Sequence, residues 1–413
     1  MATPNAAKIK EGNLHVATSA EQIRAYRGPA LFSFGFRPFF LLGAIWAAVS
    51  VPLWILTYAL GPDTLPVRAG LTFHVHELVF GYGSAIVAGF LLTAIPNWTG
   101  RLPVCGAPLI LLVVIWLAGR IMMLLQPGPA WLPAIVEPAF LVLFALVVWR
   151  EVIAGKNTRN LKVAAAVTVM ALANIAFHWA SLNAGGLPQT AIRTGLAVLV
   201  FLILLIGGRI TPSFTRNWLA RQGGPLPEPE GRFDSVALAV SLLSLAAWSA
   251  LGPSSMSGGA LLVAGILNGV RLSRWRGERT LAEPLVLILH VGYAWAALAL
   301  VLMGLNGLLP SHVPSVAGLH AAGAGAVGVM TLAVMTRSSL GHTGRALTAG
   351  SGTCLIYVLI NLAAGTRVAA AFMEYPAQMQ ANYAAAVLWS TAFVGFALLY
   401  GPRLLAPRPA RSA

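Results

Sequence analysis

A pair of histidines at the edge of an apolar stretch is the feature of this sequence with the clearest chemical meaning. His74 and His76 lie in the segment Phe73-His74-Val75-His76-Glu77, and residues 78–100, which follow it, carry no charge. Imidazole nitrogens bind copper, zinc and haem iron, and ionisable side chains inside a membrane are costly unless they face a partner or a cavity. The segment therefore predicts a metal site within a membrane.

The spacing of the two histidines argues against a simple chelate. On a regular helix, side chains two residues apart point about 200° away from each other. We therefore expect His74 and His76 to face different neighbours, as two separate ligands or as one ligand and one supporting group. Glu77 has two interpretations: an acceptor that orients an imidazole, or an acidic residue that is favourable in the first turn of a helix.

The composition places these residues in a membrane protein. Charged residues make up 9% of the 413 residues, against roughly 25% in soluble domains, and apolar residues make up 58%. The mean hydropathy is +0.78. The formal net charge of +15 does not indicate a nucleic-acid partner, because the basic residues are dispersed between apolar spans and form no dense patch.

Twelve apolar spans of membrane-crossing length account for most of the chain and predict an all-α polytopic fold. We expect a cytoplasmic N-terminal segment over residues 1–30, a single transmembrane domain over 31–402 and a cytoplasmic tail over 403–413. The predicted spans, numbered 1 to 12 in order, cover residues 39–60, 73–96, 106–125, 131–149, 161–182, 191–212, 234–252, 258–272, 281–305, 316–336, 350–372 and 381–402.

The basic residues set the orientation of these spans. With both termini in the cytoplasm, all but four of the 27 lysines and arginines fall on the cytoplasmic side, as the positive-inside rule requires. Odd-numbered spans then run outward and even-numbered spans inward. The four exceptions are Arg68, Arg120, Arg193 and Arg367.

This orientation gives each histidine a depth. His74 and His76 fall at the outer mouth of span 2, and His178 and His320 fall about one turn from the outer ends of spans 5 and 10. His290 falls near the middle of span 9. A single histidine in an apolar helix is more often a hydrogen-bonded packing residue than a ligand. Because most of the five share one side of the membrane, we interpret them together as candidate metal ligands.

Arg120 and Glu137 flank the same short outer loop, between spans 3 and 4. They have two interpretations. The pair could form an ion pair, or Arg120 could meet a carboxylate of a bound cofactor such as a haem propionate.

Two segments of the chain echo each other. Residues 76–101 and 320–345 each begin with histidine, carry glycine five positions later and end with Thr-Gly-Arg, and residues 96–99 (PNWT) resemble residues 212–215 (PSFT). These echoes fall in spans 2, 6 and 10, which are four spans apart. They indicate three four-helix units, an arrangement typical of haem-copper oxidases.

Four motifs in order give the chain a close resemblance to the NnrS family, over about residues 31–402. The motifs are residues 34–40 (FGFRPFF), 74–77 (HVHE) continuing through 89–100 (GFLLTAIPNWTG), 208–217 (GRITPSFTRN) and 335–345 (MTRSSLGHTGR). The resemblance implies a bacterial inner-membrane protein that contains haem and copper, responds to nitric oxide and protects against nitrosative stress. It also implies candidate ligands at His74, His76, His178, His290 and His320.

Our first hypothesis is that these residues bind haem b and copper, and that the centre binds or converts nitric oxide. His290 is the preferred axial ligand of haem, and His76, His320 and Arg120 are the other candidates for binding it. The open possibilities are an oxidoreductase fed by quinol or by a separate protein, and a non-catalytic sensor or sink. A histidine-dependent transporter of a metal ion or small solute is the alternative from another class. Besides nitric oxide and any electron donor, the expected partner is membrane lipid.

Overall fold

The chain folds into twelve membrane-length helices, as the sequence predicted. The computed structural model describes residues 26–61, 64–183 and 186–409, and within these ranges every regular element is helical. The membrane-length helices are α1 (Phe36–Leu60), α2 (Leu71–Thr99), α3 (Ala107–Leu125), α4 (Trp131–Ala154), α5 (Thr158–Asn183), α6 (Gln189–Gln222), α7 (Arg232–Leu251), α8 (Ser255–Ser273), α9 (Pro284–Leu308), α10 (Ser315–His342), α11 (Ser351–Phe372) and α12 (Ala377–Leu405).

Most helix ends lie within about four residues of the predicted edges, but α6 runs ten residues beyond its predicted end. The predicted span 6 ends at Pro212, and proline removes a backbone donor and usually ends a helix. Helix α6 continues through Pro212. The carbonyl of Gly208, which lies four residues earlier and loses its usual partner, accepts a hydrogen bond of 3.4 Å from the Arg271 side chain. A neighbouring helix thus replaces the missing bond.

The first and last helices close the bundle. Helix α12 packs along α1, so the first and last membrane-length helices of the described chain meet. The Arg37 guanidinium donates to the carbonyls of Leu404 and Ala406, at 2.7 Å in each case. The indole of Trp389 donates to the carbonyl of Ala47 at 2.9 Å. Large apolar side chains on the outer helices remain exposed, as expected where lipid covers them.

Helices α2, α6 and α10 form the centre of the bundle and share a local distortion. They are the three most buried of the twelve described helices, and they contact one another. Each contains a π-helical segment: Glu77–Gly83 in α2, Ile203–Gly207 in α6 and Ala321–Val329 in α10. Such segments are rare and often mark functional sites. The predicted kinship of spans 2, 6 and 10 therefore has a structural counterpart.

The echo between α2 and α10 extends to single residues. His76 and His320 each lie immediately before the π-helical segment of their helix. The glycine five positions after each histidine is also required by packing. A Cβ atom on Gly81 would lie 2.6 Å from Oε2 of Glu77, and one on Gly325 would overlap the ring of Trp295. The two helices thus share the same arrangement of histidine, π-helical segment and glycine, with different neighbouring side chains.

The proposed boundaries of the transmembrane domain need one adjustment. Helix α12 ends at Leu405, so the first residues assigned to the C-terminal tail are helical. Most of the predicted N-terminal segment, residues 1–25, lies outside the described part of the chain. Its cytoplasmic location, and that of the tail, stay predictions.

Candidate functional site

His74 and His76 enter two different sites, as their spacing predicted. The ring of His74 lines a large cavity and stacks on Trp54, with the ring centres 5.3 Å apart. The ring of His76 is fully buried among polar side chains of α2 to α5. The single helix α2 therefore supplies one imidazole to each site.

The second of these sites is a compact cluster, defined by His76, Glu77, Arg120, Glu137, Asn174 and His178. Nδ1 of His76 lies 2.8 Å from Oε1 of Glu77. Nε2 of His76 lies 3.0 Å from Oδ1 of Asn174 and 3.3 Å from Oε2 of Glu137. Of the two interpretations offered for Glu77, the structure shows the one in which it orients an imidazole.

Glu137 is the residue on which the compact cluster converges. Its Oε2 atom lies 3.0 Å from Nε2 of His178 and accepts a hydrogen bond of 2.7 Å from Nδ2 of Asn174. Its Oε1 atom accepts a hydrogen bond from Arg120. Helices α3, α4 and α5 are thus joined through one carboxylate, in addition to the contact with His76 of α2.

Arg120 is paired with carboxylates and is not free for a cofactor. One terminal nitrogen contacts Glu137, and the other donates to Oε2 of Glu77 at 2.6 Å. Trp46 of α1 donates to the same oxygen of Glu77 at 2.6 Å. The structure therefore shows the ion pair predicted for Arg120 and Glu137. The alternative, contact with a haem propionate, does not fit this position, because the guanidinium is buried and does not line the large cavity.

The charges of the compact cluster call for one more cation. Two buried carboxylates face one arginine, so the cluster carries a net negative charge while both imidazoles are neutral. Both ring nitrogens of His76 face oxygen acceptors, so a neutral ring would point one lone pair at an oxygen. A proton or a metal ion on Nε2 of His76 removes this conflict.

The geometry of the compact cluster fits a metal ion. One ligand atom each of His76, Glu137 and His178 lie within 4.8 Å of one another, and all three residues are buried. Two imidazole nitrogens and a carboxylate suit copper or zinc. Glu77, on the opposite nitrogen of His76, supplies the outer acceptor that metal-bound histidines usually have.

The large cavity has a volume of about 390 Å³ and lies between α1, α2, α6, α10, α11 and α12. His74 and His320 both line it. Nδ1 of His320 donates to the carbonyl of Val316 at 2.9 Å, because that carbonyl can only accept. This contact leaves Nε2 of His320 with a free lone pair, which is the form that binds a metal. Nδ1 of His74 is buried without a hydrogen-bond partner among the described residues.

The polar groups of the large cavity fit a ligand with an anionic edge. Arg367 of α11 lines the cavity, and no hydrogen bond or ion pair joins its guanidinium to the parts of the chain that the structure describes. The side-chain oxygen of Asn382 is also buried there without a hydrogen-bond partner among the described residues, and as an acceptor it suits a donor and not the anionic edge. Apart from a few such groups, the walls are apolar. An apolar cavity lined by two imidazoles and an arginine is suited to haem, whose iron needs nitrogen ligands and whose propionates need a cation.

His290 is separate from both sites, which corrects its predicted place in the same centre as the other four histidines. Nε2 of His290 lies 2.8 Å from Oγ1 of Thr215, and its ring packs beside Gly277 and Trp275. Helix α9 begins at Pro284, three residues later than predicted, so His290 lies only seven residues into its helix. It neither lines the large cavity nor belongs to the compact cluster.

Two residues of these sites were missed in the sequence. Asn174 lies one helical turn before His178, and this spacing was a usable signal because residues four apart share a helix face. Arg367 was noted only as one of four basic residues on the outer side. Its position on the cavity depends on how α11 rotates against α10, which the sequence pattern does not give.

A comparison with models of known protein families gives a match. The family model described as NnrS protein matches residues 30–408. A search of curated proteins found no match.

Proposed function

Since the chain belongs to the NnrS family, we propose that it is a membrane protein that contains haem and copper, binds or converts nitric oxide and protects cells under nitrosative stress. We place haem b in the large cavity and copper in the compact cluster. One observation carries this assignment. His74 and His76, with one residue between them on α2, supply a ring to each of the two sites.

His74 and His320 would hold the haem iron from α2 and α10. Nε2 of His320 is available because Nδ1 donates to the backbone, and stacking on Trp54 fixes the plane of the His74 ring. Arg367 would meet the haem carboxylates. Bound haem iron would supply one-electron chemistry, and a diatomic ligand would bind it in place of one of the two imidazoles. The protein contributes mostly apolar walls, which include the side chain of Tyr82.

His76, His178 and Glu137 would hold the copper ion. Glu77 fixes the orientation of the His76 ring and leaves Nε2 directed at Glu137. A singly charged copper ion would balance the excess carboxylate of the compact cluster, which a proton would otherwise balance. Asn174 and Arg120 hold Glu137 in place through hydrogen bonds to its two oxygens. Copper bound there would supply one-electron chemistry in a buried site, and its ligand His76 lies two residues from His74 on α2.

The location of the protein and the source of its electrons also follow from the proposed function. We place the protein in the bacterial inner membrane with both termini in the cytoplasm, which the distribution of basic residues supports. Electrons would come from quinol in the bilayer or from a separate protein. Turnover of nitric oxide with such a donor would make the protein an oxidoreductase, whereas stoichiometric binding alone would make it a sensor or sink.

The transporter alternative gains less support from the geometry. A transport path would need the histidines along one continuous route. His76 and His178 are instead enclosed in a network of ion pairs and hydrogen bonds, whereas His74 and His320 face a different cavity. This arrangement favours two fixed binding sites.

Optical spectra and metal analysis of the purified protein test the proposal. We expect a haem Soret band and about one copper per chain. In His320→Ala the Soret band should be lost or shifted while copper is retained, and in His178→Ala copper should be lost while the Soret band is retained. His312→Ala, in an exposed outer loop, is the control and should change neither. Protein without haem and copper, or with both lost together in each variant, would overturn the assignment.

A further inference from the structure

A second, smaller cavity continues the large one along the three central helices. Its volume is about 80 Å³. On α2, α6 and α10 alike, the residues that line it follow directly after those that line the large cavity. Leu199 of α6 and Val327 of α10 line both cavities and therefore form the partition between them.

The chemistry of the small cavity excludes water as its natural occupant. Among the described residues that line it, only Thr331 has a polar side chain, and its hydroxyl is already bonded to the carbonyl of Val327 at 2.6 Å. The small cavity is partly open at the surface of the bundle, where Ile206 and Val334 are half-buried. A buried water needs two to four polar partners, which these walls do not offer, whereas apolar cavities take up xenon or similar uncharged molecules. The volume exceeds the roughly 10–15 Å³ that one water needs, so there is room for a molecule of a few atoms.

Gly83 packs directly against Leu199 of the partition, where no larger residue would fit. A Cβ atom on Gly83 would lie 2.7 Å from Cδ1 of Leu199. Gly83 ends the π-helical segment that begins next to His76. Next to this apolar partition, the hydroxyl of Tyr82 lies 2.5 Å from that of Thr331. This polar contact between the walls of the two cavities is separate from the apolar partition.

We propose that the small cavity is a docking site for an uncharged diatomic gas, which passes between Leu199 and Val327 into the large cavity. The identity of the gas as nitric oxide rests on the proposed function. The docking site itself rests on the volume, the apolar walls and the shared partition. A small apolar molecule dissolved in the bilayer would thereby be concentrated next to the haem site.

Xenon binding tests the docking site directly. Crystals of the full chain under xenon pressure should show xenon in the small cavity. Ile206 lines the small cavity but not the large one, so Ile206→Phe should remove the xenon and leave the haem spectrum unchanged. Xenon absent from the wild-type cavity would overturn the proposal.

Flash photolysis of the carbon monoxide and nitric oxide complexes tests the passage. Ile206→Phe should slow bimolecular rebinding by about threefold or more, and Leu199→Ala should speed it by a similar factor. Leu205→Ala is the matched control, because Leu205 is a buried leucine on the same helix that lines neither cavity. Unchanged rebinding in both test variants, with haem bound, would overturn the passage. Colourless protein that still binds xenon would count against the proposed function and support the docking site.

Discussion

Nε2 of His178 and Oε2 of Glu137 lie 3.0 Å apart, where α5 meets α4 in the interior of the bundle. The same oxygen also faces Nε2 of His76, at 3.3 Å. One carboxylate oxygen thus receives an imidazole from each of two other helices. A metal ion bound among these atoms would replace repulsion between lone pairs with coordination, so the site and the local fold should depend on each other.

We therefore expect Glu137→Gln to lose copper. The substitution keeps the size of the side chain but removes the charge and one of the three ligands. It also leaves Arg120 with only Glu77 as a carboxylate partner, and breaking a buried ion pair typically costs about 3–5 kcal/mol. Metal analysis and thermal unfolding in detergent measure the two effects.

Glu151→Gln is the control for Glu137→Gln. Glu151 lies on the same helix, is also buried and pairs with Arg101 and Arg150, but lies outside the compact cluster. It should keep its copper content. Full copper occupancy in Glu137→Gln would contradict the assignment of the metal to this cluster.

Arg367 should govern how firmly the haem is held. Arg367→Gln removes the one arginine or lysine among the described residues that line the large cavity. It should speed haem loss by about tenfold, because a hydrogen bond to a charged group contributes about 1.5–3 kcal/mol. Transfer of haem to an apoprotein acceptor measures the rate. Arg193→Gln is the control, since Arg193 lies on the same side of the membrane in the predicted topology but bonds to the backbone of Ser249. Equal rates in the two variants would separate Arg367 from the haem.

His290 gives a clear test between the sequence-based hypothesis and the structure. If His290 only packs against Thr215, His290→Ala should keep both the Soret band and the copper. The loss of one hydrogen bond should cost about 0.5–1.5 kcal/mol of stability. Optical spectra of the purified variant measure the outcome. A bleached spectrum would return the role of axial ligand to His290.

The sequence predicted the elements well because hydropathy and charge act on whole helices. The twelve spans follow from the need to satisfy backbone groups in lipid. The opposite facing of His74 and His76 follows from helix geometry alone. The pairing of Arg120 with Glu137 was one of two interpretations, and it needed only two neighbouring helices joined by a short loop.

The residues that line each site could not be predicted from the sequence, because they depend on the rotation of each helix and on its depth in the bundle. Each residue along a helix turns the side chain by about 100°, so a small error in rotation moves a residue from a cavity to the lipid. His290 was misplaced for the related reason that α9 starts three residues late. Arg367 was not assigned to a site, because no sequence motif marks how its helix, α11, packs against α10.

The last prediction concerns Arg271, a buried arginine that contacts the central helix α6. Arg271 of α8 is fully buried and donates to Oδ1 of Asp234 on α7 at 2.8 Å. It also donates to the hydroxyl of Tyr293 at 2.8 Å and to the carbonyl of Gly208, which Pro212 leaves without its usual donor. Arg271→Met should therefore lower the free energy of unfolding by about 3–5 kcal/mol, since Asp234 stays buried with a weaker contact to Arg274 at 3.5 Å and a hydrogen bond from the backbone N–H of Gly231.

A double variant separates the ion pair from the backbone contact. If the cost came only from the unpaired carboxylate, combining Arg271→Met with Asp234→Asn should recover most of the stability. We expect partial recovery, because the carbonyls of Leu204 and Gly208 both lose the donor that Arg271 supplies. Replacing Pro212 by alanine in that double variant should then restore more, since the backbone donor of residue 212 returns to the helix. Thermal unfolding of the four proteins in one detergent measures this series. No gain from Pro212→Ala would show that Arg271 does not support the continuation of α6.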